Sequence, residues 1–326
     1  MMNKKELLKK CEEMKLEKYK SKTKSQLVEL LNSVELLNSV ELLNSVELLN
    51  SVELNNAESK NIVSKKPLKP LVKWSGGKGD EISKFQEHIP ENYQLYLEPF
   101  IGGGALYFHL SPEEAVISDV HKELIDLYRN IAIGNGKEIH DFMCQNNNDE
   151  ETYYKVRDEM IINNSLDNAK RFYFERKTCF RGMLRYNKSG KFNIPYGRYK
   201  TINYTDLINP DYETVLKKAV ILKESFEYIF ENYNDENNFM FLDPPYDSEF
   251  TDYGYCQFGK EEQKKLANLF KITKIKCLMI IGKTPFITDL YKDYIVGEYD
   301  KNYKFKIYDG RIGSEINTKH LIIKNY

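Results

Sequence analysis

The chain has 326 residues, 41% of them hydrophobic and 30% charged, which is enough for one large domain with accessories or for two ordinary domains. With a formal net charge of -1 and no apolar run near the roughly 20 residues that cross a bilayer, the sequence excludes a membrane-embedded protein. The five cysteines are scattered and never form a C-x-x-C pair, so we expect neither a disulfide framework nor a metal site.

The N-terminal segment, residues 1–27, is rich in lysine. Residues 3–26 hold 9 Lys and 4 Glu, a net charge of +5, in a pattern that predicts two short amphipathic helices separated by a turn. The segment resembles the SAP-type helix-extension-helix modules of nucleic-acid proteins, and an exposed helical hairpin explains it equally well. Because MMNKKELLKK lacks the apolar core of a secretion signal, we expect an intracellular protein.

Residues 28–70 form a repeat followed by a linker. The hexapeptide VELLNS occurs four times from residue 28 and begins a fifth copy. In a helix, six residues advance the chain by about 600°, so successive repeats point in different directions and build no single apolar stripe. We interpret the repeat as a helical spacer or an oligomerising segment, and the polar stretch that ends in Pro67 and Pro70 as a linker.

From residue 71 to residue 326, short apolar runs alternate with amphipathic helical patterns, which predicts an α/β sheet with helices on both faces. The predicted helices include KELIDLYRNI and EEQKKLANLF. Between about residues 140 and 210 the alternation stops and mainly helical patterns take over, which indicates a smaller lobe inserted in the sheet domain. The predicted strands are LYLEPF, AVISD, AVILKES, FMFLDPP, CLMIIG and KHLIIKNY.

The stretch YLEPFIGGGALYFHL reads as a strand, a glycine-rich turn and a helix. Such a turn lets the backbone approach a nucleotide-like ligand closely, and the next strand ends at Asp119, where a carboxylate can accept hydrogen bonds from ribose hydroxyls. The dinucleotide fingerprint G-x-G-x-x-G is absent, because Tyr107 stands at the position of the third glycine. A purely structural turn is an equally good interpretation of these residues alone.

The inserted lobe carries the strongest local positive charge. Residues 151–200 hold 12 Lys or Arg and 5 Asp or Glu, a net charge of +7, together with ten Phe or Tyr, whereas residues 211–250 have a net charge of -7. Cations with interleaved aromatic rings suit phosphates and bases. A solvated helix face is the more common explanation of a basic run taken by itself.

The tetrapeptide Asp243-Pro244-Pro245-Tyr246 follows the apolar run NFMFL. The lone pair of an adenine amine is delocalised into its ring, so the amine attacks a methyl group only when its hydrogens are held by acceptors. Asp243 and the carbonyl of Pro244 can supply these acceptors, because consecutive prolines fix the backbone, and Tyr246 can stack on a base swung out of its helix. A tight turn after a buried strand is the structural alternative.

A phosphate-binding loop is the competing interpretation of Gly282-Lys283-Thr284. The P-loop G-x-x-x-x-G-K-T requires a glycine at position 277, which is Cys277, so we exclude an NTPase.

Residues 71–326 resemble the Dam-type (D12 class) DNA adenine-N6 methyltransferases. Four segments match the motifs of this family in order: LVKWSGGKGD, EPFIGGGALYF, ISDVHKELIDLY and LDPPY. The resemblance implies a Rossmann-like fold, S-adenosylmethionine as cofactor and double-stranded DNA as substrate, with catalysis by Asp243, Pro244, Pro245 and Tyr246. It implies a cofactor site formed by Trp74, Lys78, Phe100, Gly102, Gly104, Asp119 and Asp243.

The segment FRGMLRYNKSGKFNIPYGRYK is similar to the target-recognition segment of this family. By that similarity, Arg185 would read a guanine and Phe180 would enter the duplex. Arg181 replaces a common asparagine, so we do not expect the frequent GATC preference. The implied DNA-binding residues are Phe180, Arg181, Arg185, Asn187, Pro195, Arg198 and Lys200.

The sequence therefore predicts a site-specific adenine methyltransferase that acts by direct transfer after base flipping. Cytosine C5 methylation is excluded because the chain has no Pro-Cys dipeptide. Two alternatives stay open: methylation of RNA or protein, and a catalytically silent DNA-binding module. Self-association through the repeat is a further possibility that the sequence leaves open.

Overall fold

The computed structural model describes Thr23 and residues 67–247, 258–303, 306–308, 311–312 and 316–326. The predicted SAP-like segment and hexapeptide repeat lie outside this part of the chain, apart from Thr23. The remainder belongs to one compact unit, Lys66–Tyr326. Within the described ranges, no helix combines the length and the apolar character needed to span a membrane.

Seven strands form one sheet in the order β3-β2-β1-β4-β5-β9-β6. Strands β1 to β5 pair in parallel, whereas β9 runs antiparallel to both β5 and β6. Two short strands, β7 and β8, pair separately. The strands are β1 (Tyr96–Glu98), β2 (Ala115–Ser118), β3 (Ala219–Leu222), β4 (Phe239–Leu242), β5 (Lys276–Gly282), β6 (Ile295–Tyr303), β7 (Lys306–Tyr308), β8 (Arg311–Ile312) and β9 (Ile316–Lys324).

The helices connect these strands and cover the sheet. A π-helical turn, Lys155–Glu159, continues directly from α5. Short 3-10 turns occupy Gln86–His88, Phe180–Gly182 and Thr205–Ile208. The α-helices are α1 (Ile82–Phe85), α2 (Ala105–Leu110), α3 (Lys122–Ala132), α4 (Gly136–Gln145), α5 (Glu150–Tyr154), α6 (Ser165–Thr178), α7 (Pro210–Lys217), α8 (Phe226–Asn232), α9 (Lys260–Ile272) and α10 (Pro285–Leu290).

Strand β4 shows how the sheet buries both of its faces. Phe239 and Phe241 point into a core shared with α1 to α7, whereas Met240 and Leu242 point into a second core with α8, α9 and α10. All four side chains are buried, because a parallel strand covered on both sides reads as a continuous apolar run. This arrangement confirms the predicted Rossmann-like α/β class with helices on both faces.

The inserted region does not have a core of its own. Helix α6 packs against α3, and Phe172 and Phe174 of α6 join the same buried cluster as Phe241 of the sheet. The region is mainly helical, as predicted, with helical segments at Glu150–Tyr154, Lys155–Glu159 and Ser165–Thr178. Because the region shares the core of the sheet domain, the boundaries of a separate lobe at about residues 140 and 210 remain a prediction.

All six predicted strands are present, whereas β6 and the two short strands β7 and β8 were not predicted. The sequence of β6, IVGEYDKNY, mixes apolar and aromatic residues with a glycine and four charged or amide residues, and β6 lies at the edge of the sheet with one paired neighbour, β9. An edge strand needs few apolar side chains, so its sequence carries no strong period-two pattern.

Candidate active site

The site lies where the strand order reverses. The chain proceeds from β1 outward through β2 to β3 and then returns to place β4 on the other side of β1. In open α/β sheets, the crevice beyond the carboxyl ends of two such strands is the usual ligand site. A cavity of about 700 Å³ opens there, between Glu98 at the end of β1 and Asp243 just after β4.

This cavity brings together every residue that was predicted to bind cofactor or to catalyse. Segments far apart in the chain meet at one edge of the sheet, since β1 and β4 are neighbours. None of the predicted DNA-binding residues is among the described residues that line the cavity. The predicted residues in its wall are Trp74, Lys78, Phe100, Gly102, Gly104, Asp119, Asp243, Pro244, Pro245 and Tyr246.

The glycine-rich turn after β1 is packed tightly against Trp74. Gly102 has a φ of 44° and Gly104 a φ of 67°, in the left-handed region that favours glycine. A Cβ atom at Gly102 would lie 2.6 Å from Cδ1 of Trp74. The turn therefore has no room for a side chain at this position, and Trp74 forms part of the cavity wall beside it.

Asp119 ties the end of β2 to the glycine-rich turn. Its carboxylate accepts hydrogen bonds from the backbone N–H of Gly102 at 3.0 Å and of His121 at 2.9 Å. Burial raises the pKa of Asp119 to about 6, and the backbone donors oppose that rise. The predicted ribose acceptor thus also holds the turn in place.

Glu98 is a residue of the cavity that the sequence analysis did not assign. It is 2% exposed, and the Tyr96 hydroxyl donates to it at 2.6 Å. Burial raises the pKa of Glu98 well above its usual value, and the carboxylates of Asp243 and Asp119 act in the same direction. A cationic group in the cavity would stabilise ionised Glu98. The signal in the sequence was the acid before the proline in LYLEPF.

An aromatic group forms another part of the wall. Phe100 stacks on Phe226 with ring centroids 5.5 Å apart, and Phe258 meets Phe100 edge-on at 5.6 Å. Phe226 begins α8 and Phe258 precedes α9, so neither could be linked to Phe100 by local sequence. Flat apolar walls of this kind suit a heterocyclic ring.

Lys78 is bonded to the predicted catalytic segment. Its Nζ donates to Asp243 Oδ1 at 2.5 Å, to Tyr246 Oη at 2.7 Å and to the carbonyl of Gly76 at 2.7 Å. Lys78 is only 1% exposed. Burial raises the pKa of Asp243, while the Lys78 ammonium opposes this rise and favours the ionised carboxylate. The predicted cofactor residue Lys78 therefore also organises Asp243 and Tyr246.

Two further side chains hold the backbone of this segment. The Gln263 amide donates to the Pro245 carbonyl at 2.7 Å, and the Thr284 hydroxyl donates to Asp247 Oδ2 at 2.9 Å. The Pro244 carbonyl accepts no hydrogen bond from the described residues, so it is available to a ligand. Gln263 lies on α9 with 1% exposure. No sequence pattern identified it, because only tertiary packing brings α9 to the segment.

The ring of Tyr246 is supported from β9. His320 meets it edge-on with centroids 5.4 Å apart, and His320 Nδ1 lies 2.6 Å from Glu81 Oε2. Although burial raises the pKa of Glu81, hydrogen bonds from His320 and Lys301 lower it to about 2. Glu81 is therefore ionised at neutral pH and holds the imidazole against the ring of Tyr246.

The predicted DNA-binding segment begins with a strained turn. Phe180 is 37% exposed, and Arg181 has a φ of 57°, which is uncommon for a residue other than glycine, asparagine or aspartate. The Arg181 guanidinium lies over the Phe180 ring at 5.3 Å. Asparagine would fit this backbone with less strain, which gives a physical reason for the common asparagine at this position.

Residues 185–193 form what we call the recognition hairpin. Tyr186 and Phe192 pair across it in an antiparallel bridge. The Arg185 Nε donates to Asn193 Oδ1 at 2.8 Å and its Nη2 donates to the Asn193 carbonyl at 3.3 Å, while the residue as a whole is exposed. The side-chain oxygen of Asn187 accepts from the backbone N–H of Ser189 and of Lys191. In this structure Asn187 therefore closes the hairpin turn.

The remaining predicted DNA-binding residues flank the hairpin. The Pro195 carbonyl accepts from the Phe180 N–H at 2.8 Å, so Pro195 holds the strained turn through its backbone. Arg198 lies 3.3 Å from Glu150 in an exposed ion pair, and Lys200 is exposed. The buried Arg176 donates to the carbonyls of Met183 and Lys73 and so connects this segment to the residue before Trp74.

Comparison with known proteins agrees with this geometry. The family model of D12 class N6 adenine-specific DNA methyltransferases matches residues 74–307. Type II methyltransferase M.CviBI of Paramecium bursaria Chlorella virus NC1A is 58% identical over 261 residues, which cover 79% of this chain and 100% of that protein.

Two more distant relatives carry similar names. Type II methyltransferase M1.LlaDCHI of Lactococcus lactis subsp. cremoris is 32% identical over 277 residues, covering 79% of this chain and 96% of that protein. Type II methyltransferase M.MjaIII of Methanocaldococcus jannaschii is 36% identical over 231 residues, covering 63% of this chain and 80% of that protein.

These matches confirm the resemblance seen in the motifs from Trp74 onward, although they do not bear on the SAP-like segment. They also favour an active DNA enzyme over both alternatives, the RNA or protein methyltransferase and the silent module. The chain belongs to the D12 class of N6 adenine-specific DNA methyltransferases, and its activity is site-specific methylation of adenine in DNA.

Proposed function

We propose that the cavity beyond β1 and β4 binds S-adenosylmethionine and an adenine flipped out of double-stranded DNA, and that the methyl group passes directly to N6. The observation that supports this most strongly is that one cavity is lined both by the glycine-rich turn at Gly102 and by the segment Asp243 to Tyr246. Direct transfer requires donor and acceptor to meet in one space.

The residues of the cavity fit this cofactor. A volume of about 700 Å³ lies within the range of about 300–1,000 Å³ for small-molecule sites. Glu98 suits an ammonium group, Asp119 suits ribose hydroxyls, and the Phe100 ring suits an adenine. When bound, S-adenosylmethionine would supply an electrophilic methyl group on a sulfonium sulfur.

The protein would make the adenine amine nucleophilic. Asp243 and the Pro244 carbonyl would each accept one N–H hydrogen, so that the nitrogen lone pair is freed from the ring and directed at the methyl group. Lys78 keeps Asp243 ionised for this purpose, and Tyr246 would stack on the flipped base. No covalent bond between enzyme and substrate is needed.

A fluorescence titration tests cofactor binding in this cavity. Trp74 is the only tryptophan of the chain and lines the cavity, so its emission reports on this site. We expect emission to change saturably with S-adenosylmethionine and with S-adenosylhomocysteine. Duplex DNA incubated with the enzyme and cofactor should contain N6-methyladenine on mass spectrometry of its nucleosides. Saturable binding measured by calorimetry with unchanged Trp74 emission would place the cofactor elsewhere.

Substitution of Gln263 tests the support of the catalytic backbone. We expect Gln263→Leu to lower kcat by roughly tenfold, because the buried Pro245 carbonyl loses its donor and the segment loosens. Affinity for S-adenosylmethionine, read from Trp74 emission, should stay the same. The exposed Gln86→Leu is the matched control. A Gln263→Leu enzyme with the wild-type single-turnover rate would contradict this role.

We further propose that the recognition hairpin reads the DNA sequence through Arg185. Its exposed guanidinium, oriented by Asn193, can bond in bidentate fashion to a guanine in the major groove. Arg185→Ala should reduce discrimination against a change at one guanine by about 1–3 kcal/mol. Lys188→Ala, on the same hairpin, should weaken binding to all sequences alike. Equal discrimination by wild type and Arg185→Ala would disprove the assignment.

The remaining features of the chain stay as predictions. These are the SAP-like segment over residues 1–27, the spacer and linker over 28–70, and self-association through the repeat. Size-exclusion chromatography with light scattering, with and without residues 28–54, would test the last of them.

A further inference from the structure

A hydrogen bond between side chains links the recognition hairpin to the residues that follow β2. The hydroxyl of Tyr186, the neighbour of Arg185 in the hairpin, lies 2.7 Å from Nε2 of His121. His121 is 1% exposed and follows Asp119 by two residues at the end of β2. Neither Tyr186 nor His121 was among the residues predicted to form the site.

The environment of His121 determines its tautomer. The imidazole Nδ1 accepts a hydrogen bond from the Leu124 N–H at 3.2 Å and so caps α3. Burial lowers the pKa of His121 to about 3, so the ring is neutral. With Nδ1 accepting from Leu124, the proton of the neutral ring resides on Nε2, which donates to the Tyr186 oxygen; the Glu123 carboxylate lies 3.5 Å from Nδ1.

His121 is also fixed on its other sides. Its backbone N–H donates to Asp119, its ring meets Trp74 edge-on with centroids 5.4 Å apart, and Phe172 lies 5.3 Å away. Two of these partners, Asp119 and Trp74, line the cofactor cavity. The donor to Tyr186 is therefore held rigidly by the same residues that shape the cavity.

We propose that Tyr186 is a specificity-positioning residue, whose hydroxyl, held by His121, fixes the recognition hairpin relative to the cofactor cavity. This inference rests on the proposed reading of DNA by the hairpin. Bidentate readout tolerates displacements of only about 0.5 Å, so a hairpin released from His121 presents Arg185 less accurately. The rate on the preferred site should fall, while methylation of sites with one altered base should fall less.

The test is a comparison of kcat/KM on two duplexes. The first carries the site found by base-resolved sequencing of DNA methylated by the wild-type enzyme, and the second has one altered guanine. Discrimination is kcat/KM on the preferred site divided by kcat/KM on the altered site. We expect Tyr186→Phe to reduce this ratio by roughly fivefold, which is the effect of one hydrogen bond. Tyr107→Phe is the matched control, because it removes a buried hydroxyl that donates to the Val215 carbonyl at 2.7 Å.

A double-mutant cycle separates positioning from general destabilisation. His121→Asn retains a side chain that can cap α3 but is too short to reach Tyr186, so it should reduce discrimination as Tyr186→Phe does. The double variant should lose no more discrimination between the two duplexes than either single variant does. Additive losses, or discrimination in Tyr186→Phe equal to that of wild type, would overturn the proposal.

The Arg185→Ala variant distinguishes the two possible failures. If Arg185→Ala leaves discrimination unchanged, the proposed role of the hairpin itself is wrong. If Arg185→Ala relaxes discrimination but Tyr186→Phe does not, only the positioning role of Tyr186 is wrong. Thermal unfolding of each variant, measured in parallel, shows whether a loss of discrimination accompanies a loss of folded protein.

Discussion

The Asp243→Ala enzyme should bind DNA and S-adenosylmethionine and yet transfer methyl groups at least roughly 100-fold more slowly than the wild type. Removing one preorganised polar group from a reacting centre typically costs about 10²–10³ in rate. Asp243 is well placed for such a role, since Lys78 holds one carboxylate oxygen at 2.5 Å and the cavity lies beside it. Single-turnover transfer of labelled methyl to duplex DNA measures the effect.

Asp243→Asn serves as the matched variant for this prediction. The asparagine retains an oxygen that can accept a hydrogen bond but loses the negative charge, so we expect a rate between those of Asp243→Ala and wild type. A rate for Asp243→Ala close to that of wild type would remove the carboxylate from the mechanism. Trp74 emission shows whether each variant still binds the cofactor.

Lys78→Met should give the second largest loss, with kcat reduced roughly 100-fold at neutral pH. Without the ammonium, the main effect that opposes burial is lost and the pKa of Asp243 rises further, so a larger fraction of the carboxyl is protonated at a given pH. A protonated carboxyl cannot accept the adenine N–H in the same way. If Asp243 acts as proposed, methyl transfer uses the ionised form, and we expect activity to fall as pH falls through the pKa of Asp243.

The pH dependence of kcat/KM provides the measurement. The acidic limb of the Lys78→Met profile should lie at higher pH than that of wild type, and part of the lost activity should return as the pH is raised. Lys84→Met, an exposed substitution on α1, is the control and should leave the profile in place. A uniform loss of activity with an unshifted limb would mean that Lys78 does not act through Asp243.

The motifs alone were sufficient to identify the class of enzyme, because each motif requires particular residue types at neighbouring positions. The turn at Gly102 needs a residue without Cβ. The proposed role of the segment from Asp243 needs consecutive prolines to hold a carbonyl. Both features can therefore be recognised from residues adjacent in the sequence. The central strands were equally visible, as β4 shows: it is buried on both faces and its sequence is one apolar run. Each of these signals operates within about ten residues.

The supporting contacts could not be predicted in the same way. Gln263 reaches Pro245 from α9, and His121 meets Tyr186 across 65 residues of chain. Neither residue type is unusual at its position in the sequence. Edge strand β6 was missed for a related reason, because its one-sided pairing leaves no apolar pattern to detect.

The sequence by itself was sufficient to predict six strands of the sheet and the family, and it placed the proposed acceptor pair at Asp243 and Pro244, because local backbone and side-chain chemistry leave little freedom at these positions. The tertiary structure decided which side chains hold those groups in place: Lys78 and Gln263 at the catalytic segment, and His121 at the recognition hairpin. Their hydrogen bonds depend on how separate elements pack, and such long-range contacts leave no spacing in the chain that a reader of the sequence could recognise.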